Sequence, residues 1–262
     1  MKAIIHATSA GWHERYFKFF VQGFARHGIL AERARCDKPH AGDIHVLFGP
    51  NYWKNCEQQY ENYLIVNRKF IGDVNDDVAV SWNGFNGRGI FCIDSPQPLR
   101  FENAMSRSPI KIRPWKNFDS RNFLLLGQAD AGRSENFGLL SDWYTAVRNY
   151  YDFASPIYRQ WPNGDGHTLQ QDVDRTGFSV SLNSTVAVET LMLGHPTSAW
   201  DVGSPIWSVC SRGYDFKKEP NRAALFEYLA NCQFYYQEIQ NGDFWLQLGK
   251  GPYGPRLCDV TL

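Results

Sequence analysis

The sequence predicts an α/β protein of two halves, each a parallel sheet flanked by helices. Three observations carry that expectation. Short apolar strands alternate with helical patterns from Lys2 to Val66, and again from Asn122 onward. Between them, Pro96, Pro98, Pro109 and Pro114 lie among polar and basic residues, as in a linker. Finally, Phe178 to Asp201 holds a complete strand–turn–helix–strand unit, FSVSLNSTVAVETLMLGHPTSAWD.

That last unit follows from its residues. Phe178, Val180 and Leu182 alternate with Ser179 and Ser181, the period of a strand. Asn183, Ser184 and Thr185 are N-cap residue types in a row. Val186 to Leu193 continues as an apolar helix, Gly194 stops it, and Pro196 follows. Thr197 to Trp200 enters the sheet as the next strand.

In the first half, Lys2 to Ala7 predicts a strand running into the small-residue turn Thr8-Ser9-Ala10-Gly11. A helix follows, with Trp12, Tyr16, Phe20 and Phe24 at four-residue spacing and Gly28 as its stop. Ala31 to Cys36, Asp43 to Phe48 and Tyr63 to Val66 give three more strands. A polar helix is expected near Trp53 to Tyr60. Val78 to Trp82 precedes the glycine-dense segment WNGFNGRG, which fits a hairpin returning through Gly89 to Ile93.

The second half opens with a strand at Asn122 to Leu126 and a helix over Leu139 to Tyr150. A strand at Pro156 to Arg159 and the 178–201 unit follow. Ile206 to Val209 reads as a further strand. Leu225, Tyr228, Leu229, Cys232, Tyr236 and Ile239 predict one helix from Asn221 to Gly242. The domain expectation is therefore 1–95, a linker at 96–119, a second domain at 120–215, and a helix and tail at 216–262.

Composition bounds the function. The chain has 262 residues with 43% hydrophobic, enough for a substantial core. Lys plus Arg equals Asp plus Glu at 27 each, so no global electrostatic footprint for nucleic acid exists. A local basic stretch runs through Arg100, Arg107, Lys111, Arg113 and Lys116. Its alternatives are a solvated linker and a nucleic-acid groove. The six cysteines show no C-x-x-C spacing and several sit in apolar patterns. They fit a reducing cytosol. No run of about 18 apolar residues is present, so no membrane span is expected. There is no phosphate-binding G-x-x-x-x-G-K-[ST] loop, no G-x-G-x-x-G after the first strand, and no G-x-S-x-G or H-E-x-x-H.

Ligands of parallel sheets bind beyond the carboxyl ends of the strands. In the second half, the turn at Asn183, Ser184 and Thr185 aims backbone N–H groups and a helix dipole at one spot, which favours a phosphate. Glu189 lies one turn deeper on the same face. Its carboxylate suits a pair of neighbouring hydroxyls, as in a ribose. The plain alternative is a capped helix with a solvated glutamate. Arg133 and Arg159, each just past a strand end, are candidates for donor phosphates. In the first half, the strand ends offer Ser9, Gly11 and His13, then Gly49 to Trp53, then Asp73. Trp82, Asn83, Asn86 and Arg88 are candidates for the acceptor side. Group transfer to a hydroxyl needs a base. Asp73 is the first choice, with His13 and Glu14 as rivals.

The segment VSLNSTVAVETLMLGHP resembles the donor site of GT-B glycosyltransferases, especially the branch near bacterial capsular-polysaccharide transferases. FLLLGQ at 123–128 is similar to the strand and glutamine that open their second domain. IYRQWP at 157–162 resembles a strand ending in a basic residue and a His-Pro pair, but Trp161 replaces the histidine. The resemblance implies a GT-B-like fold of two Rossmann-like domains with a cleft between them. It implies a nucleotide-sugar donor and no required metal or other cofactor. Carried over by position, the donor contacts are Gln128, Arg159, Asn183, Ser184, Thr185 and Glu189. The chain is short for two full domains of this kind. It is also similar to phage-encoded transferases that glycosylate hydroxymethylated pyrimidines in DNA. The acceptor is thus a saccharide or an extruded DNA base. A non-catalytic nucleotide-sugar-binding protein and a nucleotide-sugar epimerase are the competing functions. The expected location is the cytoplasm of a bacterium or a phage-infected cell.

Overall fold

The computed structural model describes residues 1–7, 11–34, 41–49, 60–94, 96–119, 121–128, 139–159 and 166–262. Its first elements are β1 (Lys2–His6), α1 (Gly11–Ala25), β2 (Leu30–Ala34), β3 (Ile44–Phe48), β4 (Tyr63–Arg68), β5 (Asp77–Trp82) and α2 (Leu99–Arg107). Next come β6 (Asn122–Leu126), α3 (Leu140–Tyr150), β7 (Ser155–Arg159), α4 (Leu169–Asp174), β8 (Phe178–Ser181), α5 (Val186–Met192) and β9 (Thr197–Ala199). The chain closes with α6 (Trp207–Cys210), α7 (Arg222–Asn231), β10 (Gln233–Tyr235), α8 (Tyr236–Asn241) and α9 (Asp243–Leu248). The helix expected near Trp53 to Tyr60 falls almost wholly outside the described residues.

Two compact units result. The first combines Met1–Arg107 with Glu227–Leu257, and the second combines Ser108–Phe226 with Cys258–Leu262. Unit 1 holds the sheet β10-β5-β4-β3-β1-β2, in which β1, β2, β3 and β4 are mutually parallel. β5 and β10 run antiparallel to their neighbours. Alternation along the strands sorts two faces. Ala3, Ile5, Val46, Leu64 and Val80 pack on one face with Phe20, Phe24, Phe234 and Phe244. Phe20 meets the rings of Phe24, Phe48 and Phe244 at 6.1, 5.9 and 5.0 Å. Each such buried phenylalanine contributes about 1.5–3 kcal/mol. Gly23 allows α1 to approach α8, since a Cβ there would lie 2.0 Å from the Ile239 carbonyl oxygen. The other face carries Leu47, Tyr63, Ile65 and Phe85.

Unit 2 holds the all-parallel sheet β7-β6-β8-β9. Its core joins Phe123, Leu125, Phe178 and Val180 to Trp143 and Val147 of α3.

Four expectations differ from the structure. The proline-bounded stretch expected as a linker contains α2. Residues 206–209, expected as a strand, lie at the start of the short helix α6. The hairpin after Trp82 reduces to one antiparallel bridge, Trp82 to Ile90, around a 3-10 turn at Asn86–Arg88. The single helix expected over Asn221–Gly242 breaks after Asn231, and β10 pairs with β5. The reason is tertiary. β5 has a free edge there, and the buried Gln233 side chain accepts from the Phe70 and Ile71 N–H groups and donates to the Ile71 carbonyl.

Among the described residues no helix is long and apolar enough to cross a membrane. Cys92, Cys210 and Cys232 are buried thiols outside any disulfide, and burial raises the pKa of each. Cys36 and Cys56 lie outside the described residues.

Candidate functional site

Each sheet has a point where chain order reverses, and such a point leaves a crevice at the strand ends. In unit 2 the chain leaves β6 for β7 on one side, then places β8 on the other. Gln128 follows β6 and Asn183 follows β8, so both stand at that crevice. They are paired reciprocally. Gln128 Nε2 donates to Asn183 Oδ1 at 3.0 Å, and the Asn183 backbone N–H donates to Gln128 Oε1 at 3.1 Å. Asn183 is 5% exposed, so the pair is a fixed feature of the floor.

The turn beyond is held by serines. Ser184 N–H donates to Ser181 Oγ at 3.3 Å, and Val186 N–H donates to Ser184 Oγ at 3.3 Å. Thr185 is the N-cap residue of α5, in helical geometry and without a side-chain cap bond. Ser184 therefore does the capping, one residue earlier than the helix boundary. Glu189 is half-buried on α5, while Ala187, Val188, Leu191 and Met192 face the core.

Arg159 ends β7, on the far side of β6. Its guanidinium donates to the His167 carbonyl at 3.0 Å and pairs with Asp172. Asp172 is 2% exposed and also takes Arg175 at 2.7 Å. One buried carboxylate thus orients both guanidinium groups. Sequence reasoning missed Asp172. The Thr168–Gln171 capping box that starts α4 was the available signal. Arg133 lies outside the described residues.

His195 is buried at the amino end of β8, away from the turn. Its Nε2 contacts the Thr176 carbonyl at 3.0 Å, and a carbonyl can only accept, so Nε2 carries the proton. Ser179 then donates to Nδ1 at 2.7 Å. Burial pushes the His195 pKa down to about 4.

In unit 1 the reversal lies between β1 and β3. His13, near the start of α1, meets the Phe48 ring at the end of β3 at 5.1 Å. Burial and the positive charge of Arg68, at the end of β4, lower the His13 pKa, which favours its neutral form. Arg68 also stands over the Trp12 ring at 5.8 Å. Glu14 points its carboxylate elsewhere, to Arg33 and to Lys18 at 3.7 Å.

Asp73 lies in the loop beyond the carboxyl end of β4, half-buried. Its Oδ1 accepts from Asn75 N–H at 2.7 Å, and its own N–H donates to Asp77 Oδ2 at 3.0 Å. Asp77, 1% exposed, is gripped by Arg107 at 2.6 and 3.1 Å. Burial raises the Asp77 pKa against the opposing pull of Arg107. Arg15 and Tyr16 of α1 donate to the Asn75 carbonyl, so the helix carrying His13 is tied to the Asp73 loop.

The acceptor-side candidates separate. β5 is antiparallel, so Trp82 sits opposite Leu64, near the amino end of β4, rather than with the parallel carboxyl ends. Its indole N–H donates to the Leu248 carbonyl at 2.9 Å. Asn83 closes the same end by exchanging bonds with Tyr63. The chain then folds back, and Asn86 accepts from Asn67 at 2.8 Å, toward the end of β4. Arg88 is buried. Ser9 lies outside the described residues, as do Pro50 to Trp53. Among the described residues no three His, Cys, Asp or Glu side chains come together as ion ligands would.

No family model and no curated protein matches the chain. Solved structures do. The chain is similar to Thermosulfurimonas dismutans KpsC, a beta Kdo 2,7 transferase, with TM-score 0.55 and 11% identity, covering 93% of this chain and 99% of that one. A beta Kdo 2,4 transferase structure of KpsC from the same organism gives TM-score 0.47 and 12% identity, covering 89% and 92%. The first likeness shows the fold: GT-B-like, with two Rossmann-like α/β domains.

Proposed function

We propose that the protein is a glycosyltransferase that moves a sugar from a nucleotide-activated donor to a saccharide hydroxyl. The observation that carries this reading is the Gln128–Asn183 pair at the chain reversal of unit 2, with the Ser184 turn beside it. The Asn183, Ser184 and Val186 N–H groups are taken by side chains, so donor phosphate oxygens accept from the Ser184 and Thr185 hydroxyls, and the Arg159 guanidinium, held by Asp172, adds attraction. Glu189 accepts from the ribose hydroxyls. These groups meet the charge that builds on the leaving phosphate as the anomeric bond breaks. The sugar moved by the KpsC transferase, Kdo, is the first to test.

Asp73 takes the proton of the attacking hydroxyl. Its loop is held by Asp77 and by α1, as a base positioned for transfer must be. His13 is the second candidate, because its neutral form is favoured at the chain reversal of unit 1. A saccharide acceptor is favoured over DNA because the basic stretch is largely committed inside the fold. Arg100 pairs with Glu238, Arg107 with Asp77, and Lys116 caps the carbonyls of Val173, Asp174 and Thr176.

The test is a pair of substitutions read separately for binding and turnover. Glu189→Ala is expected to weaken nucleotide-sugar binding about tenfold or more, the loss of one charged hydrogen-bonded contact. Asp73→Asn is expected to leave binding intact and lower kcat at least a hundredfold. If His13→Gln instead removes turnover and Asp73→Asn does not, His13 is the base. A nucleotide sugar bound without hydrolysis or transfer to any acceptor identifies a binding protein. An isomeric nucleotide sugar formed without acceptor identifies an epimerase.

A further inference from the structure

Unit 1 contains a cavity of about 280 Å³ at the β10 edge of its sheet, roofed by α2. It falls near the lower end of the range of about 300–1,000 Å³ typical of small-ligand pockets. Two ion pairs form its walls. Arg107 holds Asp77, and Arg100 holds Glu238 at 2.6 Å. Each guanidinium is therefore already balanced by a carboxylate, so the cavity has no surplus charge to offer a phosphate or a carboxylate. Gln97 and Asn103 bring neutral amides to its mouth, both exposed, and Leu99 adds an apolar rim at 67% exposure.

Such a lining matches one kind of ligand. A polyol both donates and accepts at every hydroxyl, so it uses the remaining lone pairs of the part-exposed Glu238 carboxylate and the remaining N–H groups of the arginines and amides. Its C–H faces suit the leucine rim. The cavity is also placed for a purpose. Its Asp77 wall accepts the backbone N–H of Asp73 at 3.0 Å, so the carboxylate that borders the cavity also anchors the loop that carries the proposed base. A second cavity of about 430 Å³ shares Gln97, Arg100 and Glu238, but no residue of the 69–77 loop lines it.

We propose that the 280 Å³ cavity is the acceptor subsite and binds one uncharged saccharide ring. This deepens the transferase reading, and its role as an acceptor site rests on that reading.

The experiment uses the full chain and ligand-observed NMR with three probes: methyl α-glucoside, methyl α-galactoside and methyl N-acetyl-β-glucosaminide. At least one is expected to bind, and glucose 6-phosphate is expected to bind no more tightly than glucose. Asn103→Leu and Gln97→Leu change exposed side chains, so folding should survive, and each is expected to weaken the bound glycoside up to about tenfold. The proposal is overturned if no glycoside binds, if both variants bind like wild type, or if the phosphate ester binds more tightly. Nucleotide-sugar binding is measured in the same samples. Its absence with glycoside binding intact defeats the transferase reading but keeps the saccharide site, and the reverse result defeats the subsite alone.

Discussion

His195 is expected to make unit 2 acid-sensitive by a calculable amount. The imidazole is fully buried, receives Ser179 on Nδ1 and donates from Nε2 to Thr176. Burial dominates its lowered pKa and Lys116 adds to it, while the hydrogen bond to the Thr176 carbonyl and, less, Asp174 oppose. The folded pKa is about 4, against 6.5 when unfolded. The neutral form is thus favoured by folding. Its stabilising effect is complete above about pH 6.5 and is lost as pH falls toward about 4, where the folded state also takes the proton. With 1.36 kcal/mol per pKa unit, the loss is about 2 kcal/mol between pH 7 and pH 5, and about 3 kcal/mol by pH 4.

The comparison is wild type against His195→Gln. Glutamine can donate to the Thr176 carbonyl and accept from Ser179, but it does not titrate. Urea unfolding at a series of pH values gives the difference between the two proteins, which cancels the other titrating groups. Exchange protection of the Ser179 amide, which donates to the Pro196 carbonyl at 2.7 Å, reports on unit 2 itself. Wild type should lose about 2 kcal/mol more than the variant between pH 7 and pH 5. Parallel stability curves for the two proteins would refute the reasoning.

Two further substitutions test the framework. Gln233→Leu leaves the Phe70 and Ile71 N–H groups and the Ile71 carbonyl without their partner, which should cost about 3 kcal/mol or more in urea unfolding. Gln233→Glu keeps only the accepting role and should not restore stability. Gly177→Ala places a Cβ 1.7 Å from the Asp119 carbonyl oxygen, so a loss of about 2 kcal/mol or more is expected, seen as a lower denaturation midpoint. A neutral Gly177→Ala would show that the backbone at Asp119 moves aside freely.

Most parallel strands of both sheets were legible because they are short apolar runs with turn residues after them. The same local reading failed where a distant partner decides. Leu225, Tyr228, Leu229 and Cys232 keep helical spacing up to the point where β5 needs an edge partner, and nothing local marks Gln233 as the residue that leaves the helix. α2 was hidden by the prolines around it. The turn at Asn183 to Thr185 was legible from cap residue types, but its link to Gln128 spans 55 residues and came only from resemblance. The ion pairs around the cavity span 30 and 138 residues, so no motif window contains them. Arg159 was readable as a cation at a strand end, whereas the buried Asp172 that orients it was not.

Those long-range pairs also decide how the basic stretch should be understood. From sequence, five cations between Arg100 and Lys116 form a patch. In the fold, a carboxylate or a set of carbonyls claims Arg100, Arg107 and Lys116, while Lys111 and Arg113 stay exposed. Affinity for a nucleic-acid backbone grows with the number of phosphates neutralised, about 0.9 counterion released for each on duplex DNA. Two exposed cations supply little of that drive. The same pairing that removes the electrostatic footprint creates the charge-balanced walls of the cavity that Asp77 borders. A single set of contacts thus argues twice for an uncharged hydroxyl-bearing acceptor: it withdraws the cations a polyanion would need, and it presents balanced donors and acceptors where a sugar ring can use them.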